Sequence, residues 1–171
     1  MKKPGSIFLT GPMGSGKSTI GRKLAQKLDM PFHDSDHEIE RRTGVDIPLI
    51  FELEGEAGFR RREASVIDAL TRLPNIVLAT GGGAILDPDN RERLGKRGTV
   101  IYLHTSVKQQ LARTSHDRNR PLLQTGDPRA TLEQLLAIRD PLYREIASCI
   151  IETDGKRVRD VVREIIRKLK L

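Results

Sequence analysis

Three features of the sequence predict an α/β fold with a mostly parallel sheet. Short apolar runs alternate with stretches of helical periodicity along the whole chain. The segment Gly11-Pro12-Met13-Gly14-Ser15-Gly16-Lys17-Ser18-Thr19 fits G-x-x-x-x-G-K-[ST], and it falls where the first apolar run hands over to a helix. The 171 residues, 37% hydrophobic and 31% charged, suffice for a substantial core, and the chain reads as a single domain over 1–171.

Ile7-Phe8-Leu9 suits a buried first strand, and Ile20, Leu24, Ala25 and Leu28 recur at helical spacing behind the glycine-rich loop. In such a loop the glycines let successive N–H groups turn inward around an anion, and the helix N-terminus adds partial positive charge. Lys17 can then reach the β- and γ-phosphates of a nucleotide, and the Ser18 hydroxyl can ligate Mg²⁺. Pro31-Phe32-His33 leads into Asp34-Ser35-Asp36, where a second short strand should end. A polar helix from Asp36 to Thr43 stops at Gly44, and a longer one runs from Ile47 to about Leu73, interrupted by Gly55 and Gly58.

Asn75 to Thr80 is the third strand, and it ends in Gly81-Gly82-Gly83 where many phosphate-loop enzymes carry a metal-holding Asp. A carboxylate for the metal is therefore sought in Asp34 and Asp36. Asp87-Pro88-Asp89 opens a helix by cap chemistry. Thr99 to Leu103 is a fourth strand, after which Ser106 caps a helix carrying Val107, Leu111 and Arg113. Thr114 to Gly126 lacks an apolar period, holds Arg118 and Arg120, and reads as a mobile loop of lid character. Thr131 to Ala147 is helical, with Pro141 expected to kink or interrupt it. Cys149 to Thr153 is the fifth strand, and Val161, Val162, Ile165, Ile166 and Leu169 line one face of a closing helix.

Four groupings carry candidate chemistry. In an extended segment Asp34 and Asp36 point to one side, suiting metal support and a substrate hydroxyl; as a turn they are a helix cap. Glu56, Phe59, Arg60 and Glu63 share a helical face, giving either an exposed salt bridge or an oriented arginine for a carboxylate or phosphate. The triple glycine is an ordinary turn or a place of close backbone approach. The Arg118/Arg120 loop is a solvated basic loop or a water-excluding lid. Arg139 by itself looks like a helix-surface charge.

The formal net charge is +7, yet the 30 Lys and Arg are dispersed and aromatics make up only 4%, with no Trp. That argues against a nucleic-acid partner. A single cysteine, Cys149, excludes an internal disulfide and sits in an apolar strand as core. The His residues lack metal-ligand spacing. No stretch reaches transmembrane length, and a cytoplasmic protein is expected.

Gly11 to Thr19, Asp34-Ser35-Asp36, Ile50-Phe51-Glu52 with Gly55-Glu56, Phe59-Arg60 with Glu63, Thr80 to Gly83, Arg120-Pro121-Leu122-Leu123, and Arg139 with Leu142-Tyr143 occur in the order seen in shikimate kinases. Over nearly its whole length the sequence resembles that family. The resemblance implies a three-layer P-loop NTPase fold of the nucleoside-monophosphate-kinase type, with five parallel strands between helices. It places a lid at roughly 114–126 and a substrate-binding helical segment at roughly 34–63.

It also implies ATP-dependent phosphorylation of the shikimate 3-hydroxyl, in the route to aromatic amino acids; a monomer is expected. Gly14, Ser15, Gly16, Lys17, Ser18 and Thr19 would bind the ATP phosphates, with Ser18 and, through water, Asp34 on Mg²⁺. Asp36 would hold the reacting hydroxyl. Arg60 and Arg139 would grip the carboxylate, with backbone contacts from Gly81, Gly82 and Gly83. Arg120 would be the lid arginine on the phosphates, and Arg113 would pack near the adenine. One departure is local: where the family often has a proline against the adenine, this chain reads Asp154-Gly155-Lys156-Arg157-Val158. Another small P-loop kinase, acting on gluconate or a nucleoside monophosphate, is the competing expectation.

Overall fold

The computed structural model describes residues 4–115 and 126–171. Five strands form one parallel sheet: β1 (Ile7–Thr10), β2 (Phe32–Asp34), β3 (Val77–Ala79), β4 (Thr99–His104) and β5 (Cys149–Glu152), in the order β2-β3-β1-β4-β5. The strand that precedes the glycine-rich loop is therefore central. Its residues alternate between two cores, as the period-2 geometry of a sheet covered on both faces requires. Ile7 and Leu9 pack with Leu24 of α1 (Lys17–Leu28) and with Val161, Val162 and Ile165 of α7 (Val158–Leu169). Phe8 packs on the opposite face with Phe59, Val66 and Ile67 of α3 (Ile47–Leu70) and Leu94 of α4 (Pro88–Arg97).

The remaining helices are α2 (Ser35–Thr43), α5 (Val107–Thr114) and α6 (Pro128–Ile146). Side-chain caps start most of them. Asp46 accepts from Leu49 N at 3.0 Å, Asp87 from Asp89 N at 2.8 Å, Ser106 from Gln109 N at 3.2 Å and Asp127 from Arg129 N at 3.0 Å. Among the described residues no helix is long and apolar enough to cross a membrane.

The structure corrects three local expectations. β2 ends at Asp34 and α2 begins at Ser35, so Asp34-Ser35-Asp36 is not an extended segment: Asp34 is the N-cap and Asp36 lies in the first helical turn. In α3 the break is at Gly55 alone (φ 70°, ψ 179°), while Gly58 is helical and buried against Glu54. α6 starts at Pro128 and runs through Pro141 to Ile146 without interruption. Proline there removes one hydrogen bond, but burial of Leu132, Arg139 and Tyr143 on either side of it holds the helix across the gap.

Candidate active site

The carboxyl ends of β1, β2 and β3 converge on a cavity of about 300 Å³. Gly14, Gly16, Lys17, Ser18 and Thr19 line one side of it. Gly14 and Gly16 have φ of 78° and 87°, the left-handed region that glycine enters without steric cost, and this is what curls the loop. Ser15 is fully buried beneath the loop. Lys17 Nζ lies along the loop's inner edge, donating to the Gly11 carbonyl at 2.7 Å and the Pro12 carbonyl at 2.9 Å.

Asp34 and Asp36 line the facing wall. One oxygen of Asp34 accepts from the backbone N of Asp36 (3.0 Å) and of His37 (3.2 Å). The other accepts from the Ser18 hydroxyl in a short hydrogen bond. The cap and the site are thus one residue: capping α2 fixes a carboxylate against the serine of the phosphate loop. Hard oxygen donors paired in this way suit Mg²⁺. Among the described residues no cluster of three or more His, Cys, Asp or Glu is arranged as a metal cage.

The triple glycine forms the floor. None of the three has a positive φ, so conformational freedom does not explain them. Crowding does. A Cβ on Gly81 would stand 2.7 Å from Asp36 Oδ1 and 2.8 Å from Glu63 Oε2, and one on Gly83 would overlap the Arg60 guanidinium. The Gly81 N–H donates to Ser35 Oγ at 2.9 Å, and the Gly82 carbonyl accepts from the Tyr143 hydroxyl. Ala84–Leu86 continues as a single 3₁₀ turn, whose Ala84 carbonyl accepts from Asn90 at 3.0 Å.

Arg60 and Glu63 form an ion pair at 2.9 Å, and Glu56 adds a second contact to Arg60 at 3.2 Å. The pair is not on the surface, because the Glu63 side chain is only 2% exposed. Burial pushes the Glu63 carboxyl up to about 7, against the attraction of Arg60 and with the repulsion of nearby Asp36. Burial also opposes the charge on Arg60, yet Glu63 and Glu56 together raise it.

Arg139, which looks like a surface charge in the sequence, is 4% exposed. Its Nη1 reaches to 3.5 Å from the space above Gly82. Burial, then the neighbouring charge of Arg60, lower its affinity for its proton, and among the described residues it has no ion-pair partner. The structure thus brings two arginines to the glycine floor, one held by carboxylates and one not.

On the far side of the phosphate loop, Arg113 lines the cavity and donates to the Gly14 carbonyl at 2.9 Å. Near it the turn after β5 is anchored by Asp154, which accepts from Ser106 N at 3.0 Å; against burial, Ser106 and then the charges of His104 and Arg113 hold its carboxyl low. Arg118 and Arg120 lie outside the described residues. Ser35, Asn90 and Tyr143 carry no site signal of their own in the sequence. Only their contacts with the glycine turn reveal them, although Tyr143 does sit in a recognisable Leu142-Tyr143 pair.

Known proteins similar to this chain identify its family. The shikimate kinase family model matches residues 13–170. A shikimate kinase of Halorhodospira halophila is 60% identical over 169 residues, covering 99% of this chain and 96% of its own. The solved shikimate kinase of Acinetobacter baumannii in complex with shikimate superposes with a TM-score of 0.97 at 54% identity, covering 99% of this chain and 94% of that one. A gluconokinase of Sinorhizobium meliloti, at 20% identity and a TM-score of 0.57, shares the fold alone. With a family model spanning nearly the full length and relatives this similar, the chain belongs to the shikimate kinase family.

Proposed function

We propose that this protein transfers the γ-phosphoryl group of ATP to the 3-hydroxyl of shikimate, within one domain. The observation that carries the acceptor reading is the buried Arg139 guanidinium with no acidic partner among the described residues, set beside Arg60 on a floor of glycines. A buried cation without a counter-charge is costly, and the carboxylate of a small anionic polyol would supply that charge. The glycines leave room for the ring, and Asp36, at the edge of the same floor, accepts a hydrogen bond from its hydroxyl. The 3-hydroxyl then faces the phosphate loop across the cavity.

Gly14 to Thr19 cradle the β- and γ-phosphates through backbone N–H groups, and Lys17 adds a compact positive charge. Ser18 and Asp34 would hold Mg²⁺, Asp34 through water; when bound, the ion neutralises charge on the phosphate oxygens. Arg113 flanks the nucleotide on the adenine side. Arg120, outside the described residues, is assigned to the phosphates from sequence. A loose phosphoryl-transfer transition state needs positioning and charge neutralisation more than a strong base, and these residues supply both.

The test is ADP release with Mg-ATP and shikimate, with gluconate and AMP as alternative acceptors and with Mg²⁺ removed by chelation. Turnover should require shikimate and Mg²⁺ and ignore the other acceptors. Turnover with gluconate or AMP and none with shikimate would overturn the acceptor assignment.

A further inference from the structure

Tyr143 is buried to 1% exposure on the inward side of α6, and neither the phosphate loop nor the arginine pair accounts for its hydroxyl. That hydroxyl donates to the carbonyl of Gly82, which lies 61 residues away in the chain. Arg139, one helical turn earlier, brings its guanidinium to the same peptide, with Nη1 3.5 Å from where a Cβ on Gly82 would stand, and its charge acts on the phenol. The Tyr143 ring is stacked on Tyr102, with centroids 4.8 Å apart and planes at 29°. Tyr102 donates elsewhere, to Asp140 at 2.6 Å, and Asp140 is paired with the half-exposed Arg144. The two stacked phenols are thus both buried, but only one of them reaches the glycine floor.

Gly82 has no side chain to wedge its peptide plane in place. Its carbonyl is held by Tyr143, while the flanking Gly81 N–H is held by Ser35. With no carboxylate partner among the described residues, the Arg139 guanidinium likewise lacks the fork-shaped clamp that usually fixes an arginine. Resting on the acceptor reading above, we infer that Tyr143 is a positioning residue: one hydroxyl ties the Arg139 guanidinium to the Gly82 peptide. The two then meet the carboxylate end of the acceptor as a single preset surface.

Tyr143→Phe keeps the ring and the stack and removes one oxygen. The KM for shikimate should rise about five- to thirty-fold, since a buried acceptor and the arginine contact are both left unmade. kcat should change by less than about threefold, and the KM for ATP should not move. Tyr102→Phe deletes the hydroxyl of the stacked partner and should leave the shikimate KM within about twofold of wild type, whatever both variants lose in urea stability.

An unchanged shikimate KM in Tyr143→Phe, or an equal rise in Tyr102→Phe, overturns the inference, as does a fall in kcat with no change in KM. If the wild-type protein does not phosphorylate shikimate, the acceptor reading fails and takes this one with it. If the wild type does and Tyr143→Phe matches it, this one fails alone.

Discussion

The same guanidinium chemistry appears twice on the glycine floor with opposite local electrostatics. Arg60 is held by Glu63 and Glu56, whereas Arg139 has burial and a like charge beside it. Spacing alone finds Arg60, because its partners sit at i−4 and i+3. It cannot find Arg139, whose significance lies in α6 passing over a turn from β3. Nor can it find the burial of Glu63, which turns an apparent surface pair into an internal one.

That burial has a pH signature. The folded-state value of about 7 lies above the ordinary carboxylate value of 4.5, so Glu63 favours the folded state most below pH 4.5. Its contribution is lost as pH rises through 7. Urea unfolding of wild type and Glu63→Gln across pH 5 to 9 should show it: wild-type stability relative to the variant falls over this window, by on the order of 1–3 kcal/mol. A difference that stays flat, or rises, contradicts the assignment. Asp36 gives a second prediction. If it orients the hydroxyl, Asp36→Asn keeps measurable turnover, lowered about ten- to a hundredfold. Abolished turnover with shikimate binding intact by calorimetry would make it the base instead.

At the scale of elements, periodicity and caps place most helices well. The apolar faces of α1 and α7 and the caps Asp87 and Ser106 are all legible, because each depends on neighbours within a turn or two. That Asp34-Ser35-Asp36 is the cap and not the extended pair has a physical source. β2 is only three residues long, so alternation has no length over which to operate, and the cap and the metal-supporting carboxylate are the same group.

Glycines divide similarly. Gly55 has a positive φ with nothing within 4 Å of where a Cβ would stand, so Gly55→Ala should cost about 1–2 kcal/mol through backbone strain alone. Gly95 is exposed in α4, with open space and an ordinary φ. Gly95→Ala should therefore stabilise by about 0.5–1 kcal/mol with kinetics untouched. Chemical denaturation of both variants checks the pair, and equal effects of one sign would refute the distinction.

Across the whole molecule, sheet order and the two-sided core separate stability from chemistry. Ile165 of α7 is fully buried in the core that carries α1 and lines no part of the cavity. Ile165→Ala should lower unfolding free energy by about 2–4 kcal/mol while both KM values hold, measured on protein kept well below its melting temperature. The alternation of strands and helices made the parallel sheet legible, and the glycine-rich loop located its ligand edge. The convergence of α3, α6 and the β3 turn on one floor is not legible from periodicity or spacing, since it joins residues far apart in sequence; only the family resemblance brings Arg60, Arg139 and the triple glycine together.

The sheet order also bears on how the chain is made. β1 is made before the other four strands, yet it is the central strand, and its edges are closed only by Val77–Ala79 and then Thr99–His104. Until the second of these emerges, a fully buried-in-waiting strand presents an open edge to any passing chain. A nascent chain stalled before Val77 leaves both edges of β1 open, and one stalled before Thr99 still leaves one.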